Sequence, residues 1–209
     1  MYSNIKVAII GGAGKAGKYL VQALLAKGFH LKVLLRTTEI IDPLVEVVKG
    51  DVKDLSTVRS LLQGCDVVIS TLGQPKDEPL ISGIATDHII TVMREFKITR
   101  YIFIAGITID IPGDKKSAYT MEMSAFMKRS FPEVVADKQK AFELLQESNI
   151  DWTLVRLPFI VETATKGTIA VDPEDCPGDH INTVDLADFL VEQIFSKVYV
   201  RKAPFIANL

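Results

Sequence analysis

The most specific chemistry in this sequence is offered by the run Gly11-Gly12-Ala13-Gly14-Lys15-Ala16-Gly17. Three glycines at this spacing can divide the work that a backbone does around a dinucleotide. Gly11 permits a tight turn, Gly14 lets main chain approach a pyrophosphate, and Gly17 lets a helix pack close to a strand. A helix opening at this point would turn its first free N–H groups and the positive end of its dipole towards the phosphates. The spacing is Gly-x-x-Gly-x-x-Gly rather than Gly-x-Gly-x-x-Gly, although Gly12 partly blurs the difference. The plainer alternative is a glycine turn kept for strand-to-helix packing, with no ligand.

A second candidate lies about 20 residues further on, where NAD enzymes place an acidic residue on the ribose 2′-hydroxyl. Arg36 stands there instead. A carboxylate repels a 2′-phosphate and a guanidinium clamps it, so the expected cofactor is NADP(H) in preference to NAD(H). A solvated arginine at a strand end is the competing reading. Asp51 and Val52 are placed to flank the adenine, and the small residues of Ser70-Thr71-Leu72-Gly73 form an edge that a flat cofactor can approach. Tyr119 can enter the cleft from a later helix or simply pack. Cys176 is flanked by Asp175 and Pro177 in a loop, with no basic residue tied to it by sequence, so a structural cysteine is the simpler reading.

These residues need a scaffold that gathers strand ends, and the hydrophobic pattern supplies one. The β-branched run 5–10 reads as a buried parallel strand, and Leu20, Val21, Leu24 and Leu25 have helical spacing. Further strands are expected at 30–35, 45–48, 66–73, 100–106 and 152–158, with a short one at 167–171 and a last one at 204–208. Helices are expected from Leu55, over 81–96, 117–130 and 133–147, and from Asn182 or Thr183 through Phe195. Asp54 and Asn182 or Thr183 are candidate caps, and Pro132 separates the two middle helices. Polar, proline-punctuated residues 74–79 read as a surface loop. Strands alternating with helices indicate an α/β fold, a doubly wound parallel sheet in one domain over 1–209. Residues from about 158 to 209 would form a small C-terminal lobe on the substrate side.

Composition narrows the class. The chain has 209 residues, a net charge of −2, 48% hydrophobic and 24% charged residues. There is no basic excess to suggest a nucleic-acid partner, and no apolar run approaches membrane-spanning length. Two distant cysteines and three scattered histidines suggest neither a disulfide framework nor a metal site. The expectation is a soluble, cytoplasmic protein acting on a small-molecule substrate or electron acceptor, as a monomer or homodimer.

Taken together, the glycine run, Arg36, Gly50-Asp51-Val52, the end of the 67–73 strand, Asp151-Trp152-Thr153-Leu154-Val155-Arg156 and Val184-Asp185-Leu186-Ala187 resemble the atypical short-chain dehydrogenase/reductase group. More narrowly the chain is similar to its NmrA-like, NAD(P)H-binding branch, which includes biliverdin and flavin reductases. The resemblance implies a Rossmann-like fold, a bound nicotinamide dinucleotide touched by residues 11–17, 70–73, Ala105 and Pro158, and a substrate cleft above the strand ends. It also implies a serine at the fifth strand end and Tyr-x-x-x-Lys on the following helix, the tyrosine acting as general acid. Here those places hold Ala105 and Val134, and only Lys138 matches. Lys138 and Tyr119 are therefore the catalytic candidates, Lys138 expected to bind the nicotinamide ribose; the competing readings are a solvated helical lysine and a packed tyrosine. Three functions stay open: a reductase of a flavin, quinone or similar acceptor, a non-catalytic dinucleotide sensor, and an epimerase or isomerase.

Overall fold

A computed structural model describes residues 4–37, 40, 42–74 and 78–209. The expected surface loop around 75–77 and the residues after Thr37 at 38–39 lie outside the described residues. Ten strands and six helices are described, in the order β1 Lys6–Ile10, α1 Lys15–Ala26, β2 His30–Leu35, β3 Val45–Lys49, α2 Leu55–Leu62, β4 Val67–Ser70, α3 Ile81–Phe96 and β5 Arg100–Gly106, continuing with α4 Ala118–Ser130, α5 Pro132–Glu147, β6 Asp151–Leu157, β7 Phe159–Val161, β8 Ile169–Asp172, β9 His180–Asn182, α6 Thr183–Glu192 and β10 Phe205–Asn208.

Eight strands form one sheet in the order β3-β2-β1-β4-β5-β6-β10-β8. Seven run parallel, and β8 is antiparallel to β10. This is a Rossmann-like, mostly parallel α/β sheet with helices on both faces. The chain winds outwards from β1 to β3 and then crosses back to β4, so the strand order reverses between β1 and β4. An open α/β sheet takes its ligands at such a reversal, beyond the carboxyl ends of the strands.

Both faces are buried, which explains why the strands read as nearly continuous apolar runs. Along β1, Ala8 and Ile10 join the core beneath α2, α3 and α5, while Val7 and Ile9 join the core beneath α1 and α6. The same alternation places Tyr101 and Phe103 of β5 on the first face and Ile102 and Ile104 on the second. Residues after Leu157 divide between two places. β10 and β8 extend the main sheet, whereas β7 and β9 pair in parallel as a separate two-stranded sheet.

Local chemistry sets the helix starts. Asp54 caps α2, its carboxylate accepting from the Ser56 amide at 2.9 Å, and the Ser117 hydroxyl accepts from the Thr120 amide at the start of α4. The proline at 132 fills the first turn of α5, where its missing N–H costs nothing. One expected cap fails. Asn182 occupies the N-cap position of α6, but its side-chain amide donates to Asp185 and to the Thr165 carbonyl instead of accepting from the helix.

Candidate functional site

The glycine turn is built by close approach. Gly11 has φ +79, and a Cβ there would lie 2.6 Å from the Thr71 carbonyl oxygen. At Gly17 a Cβ would stand 2.0 Å from the Gly11 carbonyl oxygen, so the first turn of α1 rests directly on the loop. Gly12 is buried against Val33, which a Cβ would approach to 2.6 Å. Gly14 differs. Its backbone is extended and a Cβ would meet only the Gly11 carbonyl oxygen, at 3.2 Å, so the fold tolerates a side chain there better than at Gly11 or Gly17.

The start of α1 fits an anion. Its N-cap residue, Gly14, has no side chain to offer, and the first turn holds no acidic residue. The first N–H groups therefore carry their partial positive charge into the cleft without a carboxylate from their own turn. Lys15 is exposed at the rim, its Nζ 3.5 Å from the Ile160 carbonyl oxygen, and Lys18 pairs with Glu162. The 160–162 segment thus leans over the first turn of α1.

A cleft of about 390 Å³ runs from this turn across the strand ends. Gly11, Ala13, Gly14, Arg36, Asp51, Val52, Leu72 and Gly73 line it. Of the other residues expected at the cofactor, Lys15 is exposed at the rim, Lys138 and Pro158 line a second cavity, and six stand behind the cleft wall. Gly12, Ala16 and Gly17 are packing positions of the turn, and Ser70, Thr71 and Ala105 are buried at 1%, 4% and 5% exposure. Thr71 braces the turn, since its hydroxyl is 3.3 Å and 3.2 Å from the carbonyl oxygens of Ile10 and Gly11 and so ties the end of β4 to it.

At the far end of the cleft the Arg36 guanidinium is 3.3 Å from the Glu78 carboxylate, and the Lys53 ammonium donates to the same carboxylate at 2.7 Å. Asp51 accepts from the Lys53 amide at 2.8 Å, and its other oxygen lies 4.0 Å from the Lys53 ammonium. His88, on the inner side of α3, has Nδ1 3.1 Å from the Val52 carbonyl oxygen. Glu78 and Lys53 were not legible as site residues, because Glu78 meets Arg36 across 42 positions.

A second cavity, of about 240 Å³, lies beyond β5 and β6. Tyr119, Met123 and Met127 of α4, Val134 and Lys138 of α5, and Pro158 line it, with Cys176 and Asp179 from the later loop. Lys138 stands at the junction of the two spaces. Its ammonium donates to the carbonyl of Leu72, a residue of the first cleft, at 3.3 Å and sits 4.9 Å from the centre of the Phe103 ring. Burial pushes the Lys138 ammonium down to about 8, opposed by the neighbouring Asp137 charge.

Asp137 explains how Lys138 is held. The Asp137 carboxylate is 5% exposed and accepts from the amides of Ser82 at 2.7 Å and Gly83 at 3.1 Å. It therefore caps the start of α3 from a different helix, and α5 is fixed to α3 at the position before Lys138. Arg156 anchors the other wall. Its buried guanidinium pairs with Asp114 at 2.6 Å, donates to the Ala203 and Pro173 carbonyls, and lies 3.5 Å over the Phe205 ring. This clamp holds the connection before α4 against the sheet edge.

Cys176 faces this cavity as a thiol, not a thiolate. Burial pushes its pKa up, and Sγ donates to the Gly178 carbonyl at 3.2 Å. Among the described residues no cluster of three or more His, Cys, Asp or Glu is arranged to hold a metal, and no helix is long and apolar enough to cross a membrane.

The sequence model of a family described as NAD(P)H-binding matches residues 11–197, from the glycine turn through α6. The chain belongs to that NAD(P)H-binding family. The YwnB protein of Bacillus subtilis is 22% identical over 165 residues, covering 78% of this chain and 76% of its own. Against plant relatives, this chain spans 26% to 64% of their length. A short-chain dehydrogenase/reductase from Veillonella parvula, solved in complex with NADP, superposes with a TM-score of 0.81 at 16% identity, covering 98% and 94% of the two chains. ChuY, an anaerobillin reductase from Escherichia coli O157:H7, gives a TM-score of 0.81 at 20% identity over 97% of each chain.

Proposed function

We propose that this protein is an NADPH-dependent reductase of a small planar acceptor, a flavin, a quinone or a similar ring system. The observation that carries the reading is the place of Lys138, where the dinucleotide cleft meets a mostly apolar cavity. A cavity of about 240 Å³ is smaller than most drug-sized ligand pockets, so it suits a compact ring system. The solved reductase ChuY lends support through its fold alone.

The bound dinucleotide would supply a hydride. The residues of this chain do the rest. The turn at 11–14 and the start of α1 hold the diphosphate, and Arg36 attracts the 2′-phosphate. Lys138, at the junction of the two spaces, would hold the nicotinamide ribose and so acts chiefly on cofactor affinity. No hydroxyl stands at Ala105 and no phenol at Val134, so an acceptor that delocalises charge and can take its proton from water suits the site, with the Tyr119 phenol also in the cavity lining. Met123 and Met127 adapt their flexible side chains to a flat ring. The free, buried cysteines fit a reducing compartment such as the cytoplasm.

The test is mass spectrometry of the dinucleotide that copurifies, followed by NADPH oxidation against a panel of flavins, quinones and carbonyls. Turnover with a flavin or quinone supports the reductase. Tight dinucleotide binding with no turnover on any acceptor would replace it with a dinucleotide sensor.

A further inference from the structure

The pair of cations at the far end of the dinucleotide cleft is already occupied by an anion of the protein's own. Arg36 comes from the end of β2, Lys53 from the turn before α2, and Glu78 from the connection between β4 and α3. One carboxylate reaches both cations, with Oε2 3.3 Å from Arg36 Nη1 and Oε1 2.7 Å from Lys53 Nζ. Two positive groups that share one carboxylate define a seat for an anion. We infer that Arg36 and Lys53 form the 2′-phosphate seat of this cleft and that Glu78 is its built-in occupant, which NADP(H) displaces and NAD(H) leaves in place.

This inference rests on the reading of Arg36 as the 2′-phosphate contact. The chemistry of exchange follows from charge and reach. A phosphate monoester carries about −1.5 to −2 charge and three acceptor oxygens, against one charge and two oxygens for the carboxylate. It is the stronger partner for two cations at once, and it repels Glu78 when it arrives. Asp51, 4.0 Å from Lys53, adds a second negative charge that the phosphate must face. Only the Glu78 side chain has to leave, because Gln74 Nε2 donates to its main-chain carbonyl and anchors the backbone. A ribose bearing a free 2′-hydroxyl makes no such demand. Its hydroxyl can donate to Glu78 while both ion pairs persist, so an acid from another loop stands in for the acid that Arg36 replaces.

The consequence is a cofactor preference held below what the two cations alone would give. Arg36, Lys53 and Glu78 side chains are 55%, 41% and 23% exposed, so each ion pair is worth only about 1.4- to 5-fold in an equilibrium constant. Losing both pairs from the resting state should therefore tighten NADP+ by about 2- to 30-fold.

The experiment is calorimetric titration of NADP+ and NAD+ into the wild type and the variants Glu78→Gln, Lys53→Ala and Arg36→Ala, with circular dichroism confirming that each is folded. The expected result is that E78Q binds NADP+ more tightly and NAD+ no more tightly than wild type, while K53A and R36A each weaken NADP+ and spare NAD+. If R36A discriminates between the cofactors but E78Q leaves NADP+ no tighter, the built-in occupant is overturned. If R36A discriminates and K53A weakens both cofactors equally or neither, the two-cation seat is overturned. Equal weakening of both by R36A would instead remove the underlying reading of Arg36.

Discussion

Replacing Lys138 by methionine should stabilise the folded protein at neutral pH, and by an amount that disappears as pH rises. The ammonium is pushed from the ordinary lysine value of 10.5 down to about 8 by burial. The difference, 10.5 − 8, corresponds to at most about 3 kcal/mol of penalty for keeping the charge in the folded state. Residual solvent contact at this half-buried side chain, and loss of its bond to Leu72, bring the expected gain to about 1–2 kcal/mol at pH 7. The sign follows from proton uptake. Between about pH 8 and 10.5 the unfolded chain holds a proton on Lys138 that the folded chain has released, so wild-type stability rises through that window. Below 8 both states are protonated and the penalty is full. Other groups titrate alike in both proteins and cancel in the difference. Urea midpoints of the wild type and K138M at pH 7 and pH 10 measure it. K138M should be the more stable at pH 7 and gain less than half as much at pH 10. No gain at pH 7, or a difference that stays flat to pH 10, would refute the account of Lys138 as a buried charge.

The same residue should matter to function: Lys138→Ala is expected to raise the KM for NADPH with a smaller effect on kcat, read from steady-state kinetics with a flavin or quinone. Gly14→Val should fold but fail to bind dinucleotide in a calorimetric titration, whereas Gly17→Val should lose the fold, because its Cβ alone would lie 2.0 Å from the Gly11 carbonyl oxygen. Asp137→Ala should cost about 2–5 kcal/mol in urea denaturation by leaving the buried Ser82 and Gly83 amides unpaired, with Asp137→Asn costing less. Oxidation of simple secondary alcohols, followed as NADPH formation, should be negligible, since Ala105 and Val134 supply neither hydroxyl nor phenol.

What could be read from the sequence was whatever repeats within a few residues. The apolar run of β5 and the face of α3 gave elements that match at Arg100–Gly106 and Ile81–Phe96. The turn at Gly11 was legible because only glycine takes its backbone at φ +79 against the Thr71 carbonyl. The strands β7 and β9 were not, since three residues are too few to show a period and their pairing of Phe159 with His180 is nonlocal. Asn182 misled for a related reason: a residue type suited to capping was recruited by Asp185 and Thr165, which no local pattern announces. Asp137 meets Ser82 across 55 positions and Glu78 meets Arg36 across 42, so their roles appear only when α5 meets α3 and the β4–α3 connection meets β2.

The strand order also has a history written into it. β3 to β6 can assemble as the chain is synthesised, each new strand finding a neighbour already made. β8 cannot, because its sheet partner β10 comes later in the chain and inserts between β6 and β8. Until β10 arrives, Arg156 has neither the Ala203 carbonyl nor the Phe205 ring, and an arginine destined for 1% exposure stays in water. Ile107 and Cys176 of the second cavity's lining share a cluster with Phe205 and Ala207, so that wall gains its backing only when β10 completes the sheet, long after every residue lining the dinucleotide cleft has been made.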